Sequence, residues 1–350
     1  MIAAQFSSLC GVQSTALPWN LTDKDCASRR RSSRASAAGR RFPRGHADGA
    51  VLDLFHHQHV FLTHKQHSRA LVMGCGPTAA DVDASAARRL MDHFDVWATN
   101  QFFYHHYLVP NFYHAEIKGD ALNSHWHRGF LANETKRRLY ASTVFIGQYT
   151  GATCRKACFG TSYLDILQNA TTAPAHLFAY EYPADVRQVD YWHCNKQTGV
   201  KAAEEALLGG APSCDQLSKY CASSMTLVLS LIVSMGYKEV YMLGIDLVQA
   251  DHFFSVHPAY GAEHRMFSRV SHSSLNQTQE LSVLPHNHSG RHLTEGRGFS
   301  KFVEGLFEGL RGRGVRGFNL SPLSKPIIST ETVPYRRLDA LLESIDTESS

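Results

Sequence analysis

The stretch from Arg69 to Gln101, RALVMGCGPTAADVDASAARRLMDHFDVWATNQ, constrains the fold more than any other part of the chain. An apolar run, Ala70 to Met73, ends in Gly74-Cys75-Gly76-Pro77-Thr78. An amphipathic segment follows, then a second strand-like run, Phe94 to Ala98, closing on Asn100-Gln101. Strand, glycine turn, helix and strand in that order open a doubly wound α/β domain, whose turns hold phosphates at a helix N-terminus. Dinucleotide and methyl-donor sites usually place Asp or Glu after the second strand to grip a ribose. This chain offers Asn100 there, which argues against a dehydrogenase or a methyltransferase.

With 350 residues, 43% of them hydrophobic, the chain can bury one large core or two small ones. Its formal charge of +4 is unevenly spread: residues 1–45 carry seven Arg, one Lys and two Asp, leaving the remainder slightly negative. No basic stripe marks the body for nucleic acid. Nor does any stretch reach the about 18 consecutive apolar residues of a membrane span. Any membrane association is therefore not encoded by a visible span.

The eight cysteines form no CxxC pair, which disfavours a zinc ribbon. Cys154 with Cys158, and Cys214 with Cys221, are close enough in sequence for local bridges, but spacing alone does not establish them. Six of ten asparagines (20, 133, 169, 276, 287 and 319) begin a glycosylation sequon, which favours the lumen of the secretory pathway, such as the Golgi. Pro322 weakens the last of these. The run RRRSSRASAAGRR makes residues 1–45 a disordered basic tail or a targeting segment, so organelle and cytoplasmic locations stay open.

A single domain is expected over residues 46–330, with a tail over 331–350. Asn111–Ile117 reads as a third strand, His125–Tyr140 as a helix and Ser142–Ile146 as a fourth strand. Residues 150–220 read as an irregular insertion or lid. ASSMTLVLSLIVSM, Ala222 to Met235, is apolar around its circumference and so a buried helix. Tyr237–Ile245 is the strand it feeds, and a polar active-site loop spans about 248–298. A helix, Phe299–Arg311, and a strand, Val315–Leu320, close the core. The expected class is thus α/β: a doubly wound, mostly parallel Rossmann-like sheet with helices on both faces and a lid.

Ligands of open α/β sheets gather at the carboxyl ends of the strands. Gly74–Thr78, Asn100-Gln101 and Gly244-Ile245-Asp246 lie at three such ends. Ser223-Ser224 adds a hydroxyl pair where the apolar helix begins, a cap and a seat for phosphate. Among 21 histidines, His105, His106 and most others read as surface or packing residues. His286, His288 and His292 share one polar loop and admit three readings: zinc ligands, a general base, or an exposed loop.

FDVWATNQFFY, SSMTLVLSLIVSMGYKEVYMLGIDL, the His288–His292 spacing and GFNLSP resemble the bacterial α-2,3/α-2,8-sialyltransferases of glycosyltransferase family forty-two, over about residues 68–118 and 220–322. The resemblance implies an inverting transferase that moves sialic acid from CMP-sialic acid to a glycan or glycolipid hydroxyl, with no metal ion or other cofactor. It puts Gly74, Gly76 and Pro77 by the phosphates, and Asn100 and Gln101 on the nucleotide. Ser223 and Ser224 fall on the donor, Gly244 and Asp246 on the cytidine ribose, and His292 on the general base. The chain departs from the pattern at Cys75 and His114, both Asn in the family. It also lacks two tyrosines after Gly244-Ile245-Asp246, whose contact with the leaving phosphate His252 is placed to replace. Kdn or Kdo become alternative sugars. A non-catalytic nucleotide- or glycan-binding descendant, an S-adenosylmethionine-dependent methyltransferase and association into homo-oligomers remain open.

Overall fold

Strands buried on both faces read as unbroken apolar runs, and these runs form the centre of a parallel sheet. In a computed structural model, residues 52–54, 58–116, 134–149, 177–181, 195–207, 224–246, 253, 257, 260, 290–324, 328 and 330–349 are described. The chain order is β1 (Leu52–Asp53), α1 (Gln58–Leu62), β2 (Arg69–Met73), α2 (Ala84–His93), β3 (Asp95–Thr99), β4 (Phe112–Glu116), α3 (Glu134–Leu139), β5 (Val144–Tyr149) and β6 (Leu177–Glu181). There follow α4 (Lys196–Leu207), α5 (Ser224–Ser234), β7 (Glu239–Leu243), α6 (Gly290–Leu310), β8 (Arg316–Asn319) and α7 (Leu338–Ser349).

The strands form one sheet in the order β1-β6-β5-β4-β3-β2-β7-β8, and every pairing in it is parallel. The α/β class expected from the sequence is therefore the one the chain adopts, with an all-parallel sheet. Alternation along each strand divides the core in two. Leu71, Met73, Val96, Ala98, Tyr241 and Leu243 pack on one face with α2 and α7. Ala70, Val72, Trp97, Phe112, Val240 and Met242 pack on the other with α4, α5 and α6. Trp97 and Phe112 stack there, ring centroids 4.2 Å apart, which locks neighbouring strands in register. Helix α5 buries nearly every side of itself, as its uniform apolarity predicts.

Four expectations change. Helix α6 starts at Gly290 rather than Phe299. From Phe299 onward its core-facing residues are Phe299, Phe302, Val303, Leu306, Phe307 and Leu310, the apolar period the sequence showed. The first turns carry no apolar stripe to announce them, and they take His292 out of the loop and onto a helix. Within the segment read as irregular, β6 extends the sheet and α4 packs on α6. Residues 338–349 do not trail: Leu341, Leu342 and Ile345 are buried against the sheet face that α2 covers. Asn319 is no glycosylation acceptor, because its amide is buried, donating to the Ile328 carbonyl at 2.7 Å and accepting from Ser321 N–H at 2.9 Å. The other five sequons, the tail over residues 1–45, and every cysteine but Cys75 lie outside the described residues. No helix among the described residues is long and apolar enough to cross a membrane.

Candidate functional site

From β2 the chain winds outward through β3, β4, β5 and β6, then returns to β7 on the opposite side of β2. The connections leaving β2 and β7 therefore diverge, and it is at such a point on the carboxyl edge that open α/β sheets place a ligand crevice. The turn after β2 holds Gly74 to Thr78, and the turn after β7 holds Gly244 to Asp246. The two sequence segments singled out for a nucleotide thus meet at the topological switch point.

They meet in direct contact. Gly74 N–H donates to the Leu243 carbonyl at 2.8 Å, and Gly76 N–H donates to the Gly244 carbonyl at 2.7 Å. A side chain at Gly74 would overlap the Gly244 carbonyl oxygen. Gly244 itself has φ +71°, a left-handed conformation that glycine adopts without penalty. Here the glycines serve the close approach of two strand ends.

The amides of Gly74 and Gly76 are taken by the Leu243 and Gly244 carbonyls rather than aimed at an anion; that of Thr78 does face one, and it is Asp246. Its carboxylate accepts from Thr78 N–H at 2.8 Å, and the Thr78 hydroxyl lies 2.8 Å from both carboxylate oxygens. Ser321, fully buried at the end of β8, accepts from Ile245 N–H at 3.2 Å and lies 3.4 Å from the Thr78 hydroxyl. Burial raises the Asp246 carboxyl above the usual aspartate value, and the bonds from Thr78 and Ser321 oppose that rise. Asp81 lies nearby, also raised by burial. An ionised carboxylate has about four lone-pair positions. Thr78 and Ser321 fill part of that capacity.

The remaining strand ends complete the rim. Cys75 is half-buried and its thiol donates to the Thr99 carbonyl at 3.4 Å, bridging the β2 and β3 ends. Asn100 and Gln101 open a short 3-10 segment, Asn100–Tyr104, directly after β3, in place of the acidic residue of a classical dinucleotide site. His114, near the end of β4, pairs in register with Thr99. It is fully buried, and burial lowers its pKa to about 3, so its imidazole is neutral at physiological pH.

Topology also places α5 and α6. Each follows a connection and runs back to the start of the next parallel strand, so each begins at the carboxyl edge. Ser224 is the first residue of α5, and His292 lies in the first turn of α6, some seven residues above the buried Phe299. At about 1.5 Å per residue that is roughly 10 Å along the helix from Phe299. Ser223, His252, His286 and His288 lie outside the described residues. Among the described residues no cluster of three metal-ligating side chains occurs.

Two participants escape sequence reasoning. Ser321 lies within the GFNLSP motif but received no role, because LSP after a strand reads as an ordinary turn. His105, one of an adjacent histidine pair, is buried beneath the site. Comparison with protein-family models, curated proteins and solved structures found no match to the chain.

Proposed function

We infer that this protein is an inverting glycosyltransferase that takes a 2-keto acid sugar, sialic acid or its relatives Kdn and Kdo, from a CMP donor to a glycan hydroxyl. The observation that carries the reading is the meeting of Gly74–Thr78 with Gly244–Asp246 at the switch point, with Asn100 rather than a carboxylate at the next strand end. Asp246 accepts the ribose hydroxyls, held in orientation by Thr78 and Ser321. The phosphate is assigned to the start of α5, where a helix N-terminus favours an anion and where Ser223 and Ser224 supply hydroxyls. His292 takes the proton of the acceptor hydroxyl as that oxygen bonds to the anomeric carbon. The bond from that carbon to the phosphate oxygen breaks on the opposite face, and CMP leaves with its electron pair. The donor's own carboxylate eases the oxocarbenium-like transition state, so the protein chiefly positions the two substrates.

CMP release from CMP-sialic acid, CMP-Kdn and CMP-Kdo, measured on the full chain with a glycan acceptor panel, tests the reading. Acceptor-dependent release with one donor, lost in His292→Ala, is expected. Binding of CMP without turnover of any donor would make the chain a nucleotide-binding relative with no transferase activity. Preference for S-adenosylmethionine would replace the assignment altogether.

A further inference from the structure

His105 joins three loops that the crevice needs in register. It follows the 3-10 segment after β3 and is almost fully buried, with 2% exposed. Its Nδ1 faces two backbone donors, Tyr107 N–H at 3.3 Å and Leu108 N–H at 3.1 Å, and therefore must accept. Its Nε2 lies 3.1 Å from the Ala79 carbonyl, in the turn after β2, and therefore must donate. One neutral tautomer satisfies all three contacts. The ring stacks on Phe102, with centroids 5.1 Å apart and planes 15° apart. It also contacts Phe253 at 5.6 Å and Tyr260 at 6.0 Å, both from the connection after β7. Phe253 N–H donates in turn to the Cys75 carbonyl at 2.9 Å, inside the glycine turn.

The elements following β2, β3 and β7 thus converge on one imidazole. A surface histidine needs none of this, and a packing residue would need the ring but not a donor and an acceptor at fixed positions. We propose that His105 is a positioning residue: through Nε2 and Ala79 it sets the glycine turn against the 253–260 segment, and so sets the geometry in which the nucleotide is held. The nucleotide part of this proposal rests on the CMP reading above; the joining of the loops does not.

Two conservative variants separate the two ends of the ring. In His105→Asn, the side-chain oxygen can take the place of Nδ1 and accept from Tyr107 and Leu108, but the side chain stops short of Ala79. In His105→Gln, the amide can reach Ala79 and give up the local acceptor. Hydrogen exchange by mass spectrometry on the full chain, with CMP titration by calorimetry, reads both. His105→Asn is expected to keep slow exchange at Tyr107 and Leu108. Its 253–260 peptides should exchange faster and its CMP dissociation constant should rise, each by at least about fivefold, the worth of a buried hydrogen bond. Both variants lose the ring's contacts with Phe253 and Tyr260, so the Ala79 bond is read as the difference between them: His105→Gln is expected to exchange faster at Tyr107 and Leu108, and to stay closer to the parent than His105→Asn in 253–260 exchange and CMP affinity. A merely structural cap would be rescued by Asn in every readout, and that result overturns the proposal. If the unaltered protein does not bind CMP, the nucleotide reading falls and exchange alone decides. Faster 253–260 exchange in Asn than in Gln upholds the positioning role, and equal exchange in the two variants overturns it.

Discussion

Replacing Gly76 with alanine tests whether the glycine turn exists for contact with Asp246. Gly76 has φ −68° and ψ 164°, a conformation open to any residue, so alanine meets no backbone penalty. The obstacle is spatial. A Cβ at Gly76 would overlap Asp246 Oδ2 and sit 2.7 Å from Asp246 Cβ and 2.8 Å from its Cγ. Carbon atoms rest comfortably at about 3.5 Å. Asp246 must therefore retreat by roughly 0.7 Å, a shift that the carboxylate end alone cannot absorb because its Cβ is among the crowded atoms. The retreat lengthens the 2.8 Å bonds from Thr78. Hydrogen bonds to a charged group contribute about 1.5–3 kcal/mol each, and overpacking costs about 1–3 kcal/mol. With one bond lost and the other weakened, Gly76→Ala should destabilise the full chain by about 2–4 kcal/mol in urea unfolding. CMP affinity should fall at least about tenfold. Adding Asp246→Gly removes the opposing atoms, so the double variant should lose less than the two single losses combined. A Gly76→Ala protein within about 0.5 kcal/mol of the parent and binding CMP equally would refute the reasoning.

Three further outcomes are expected. Gly305→Ala removes a poor helix former, which alone would stabilise by about 1 kcal/mol, yet its Cβ would overlap the Lys196 carbonyl oxygen where α4 crosses α6. Net destabilisation of about 1–3 kcal/mol is expected, while Gly312→Ala, with nothing within 4 Å, should change thermal stability little. Tyr237→Phe deletes the hydroxyl that donates to buried Asp95 at 2.7 Å, which should cost about 1–3 kcal/mol by chemical denaturation. Asp246→Asn addresses pH. A carboxyl raised on folding binds its proton more readily in the folded state, so its contribution to stability falls as pH rises from the ordinary value of 3.8 through the raised one. Melting curves across that window should show this decline in the parent and lose it in Asp246→Asn, and an unchanged slope in the variant would contradict the assignment.

The central sheet was legible because parallel strands covered on both faces need uninterrupted apolar runs, and RALVM, DVWAT and EVYML supply them. That Gly74–Thr78 and Gly244–Asp246 lie at the carboxyl ends of strands was legible too; that the two turns pack against each other was not, because those contacts form only once β2 and β7 pair. What stayed hidden has physical reasons. Helix α4, KQTGVKAAEEAL, carries Gly199 at a place where a helix former is expected. That glycine is there because a Cβ would overlap the Phe302 carbonyl oxygen of α6. Strand β6, LFAYE, follows a long stretch of scattered Gly, Pro and Cys and places Tyr180 and Glu181 at its end, so its sequence shows no unbroken apolar run. Helix α7 had its stripe in plain sight, with Leu338, Leu341, Leu342 and Ile345 at helical spacing, but a polar surround disguised it. His105 was beyond reach, because its partners come together only after β2, β3 and β7 are in place.

The most direct measurement is calorimetric titration of the full chain with CMP, CDP, UDP, S-adenosylmethionine and NAD. The account predicts saturable binding of CMP, weakened by Asp246→Asn and absent for S-adenosylmethionine and NAD. Binding of S-adenosylmethionine or NAD in preference to CMP, or no binding of CMP at all, would contradict it.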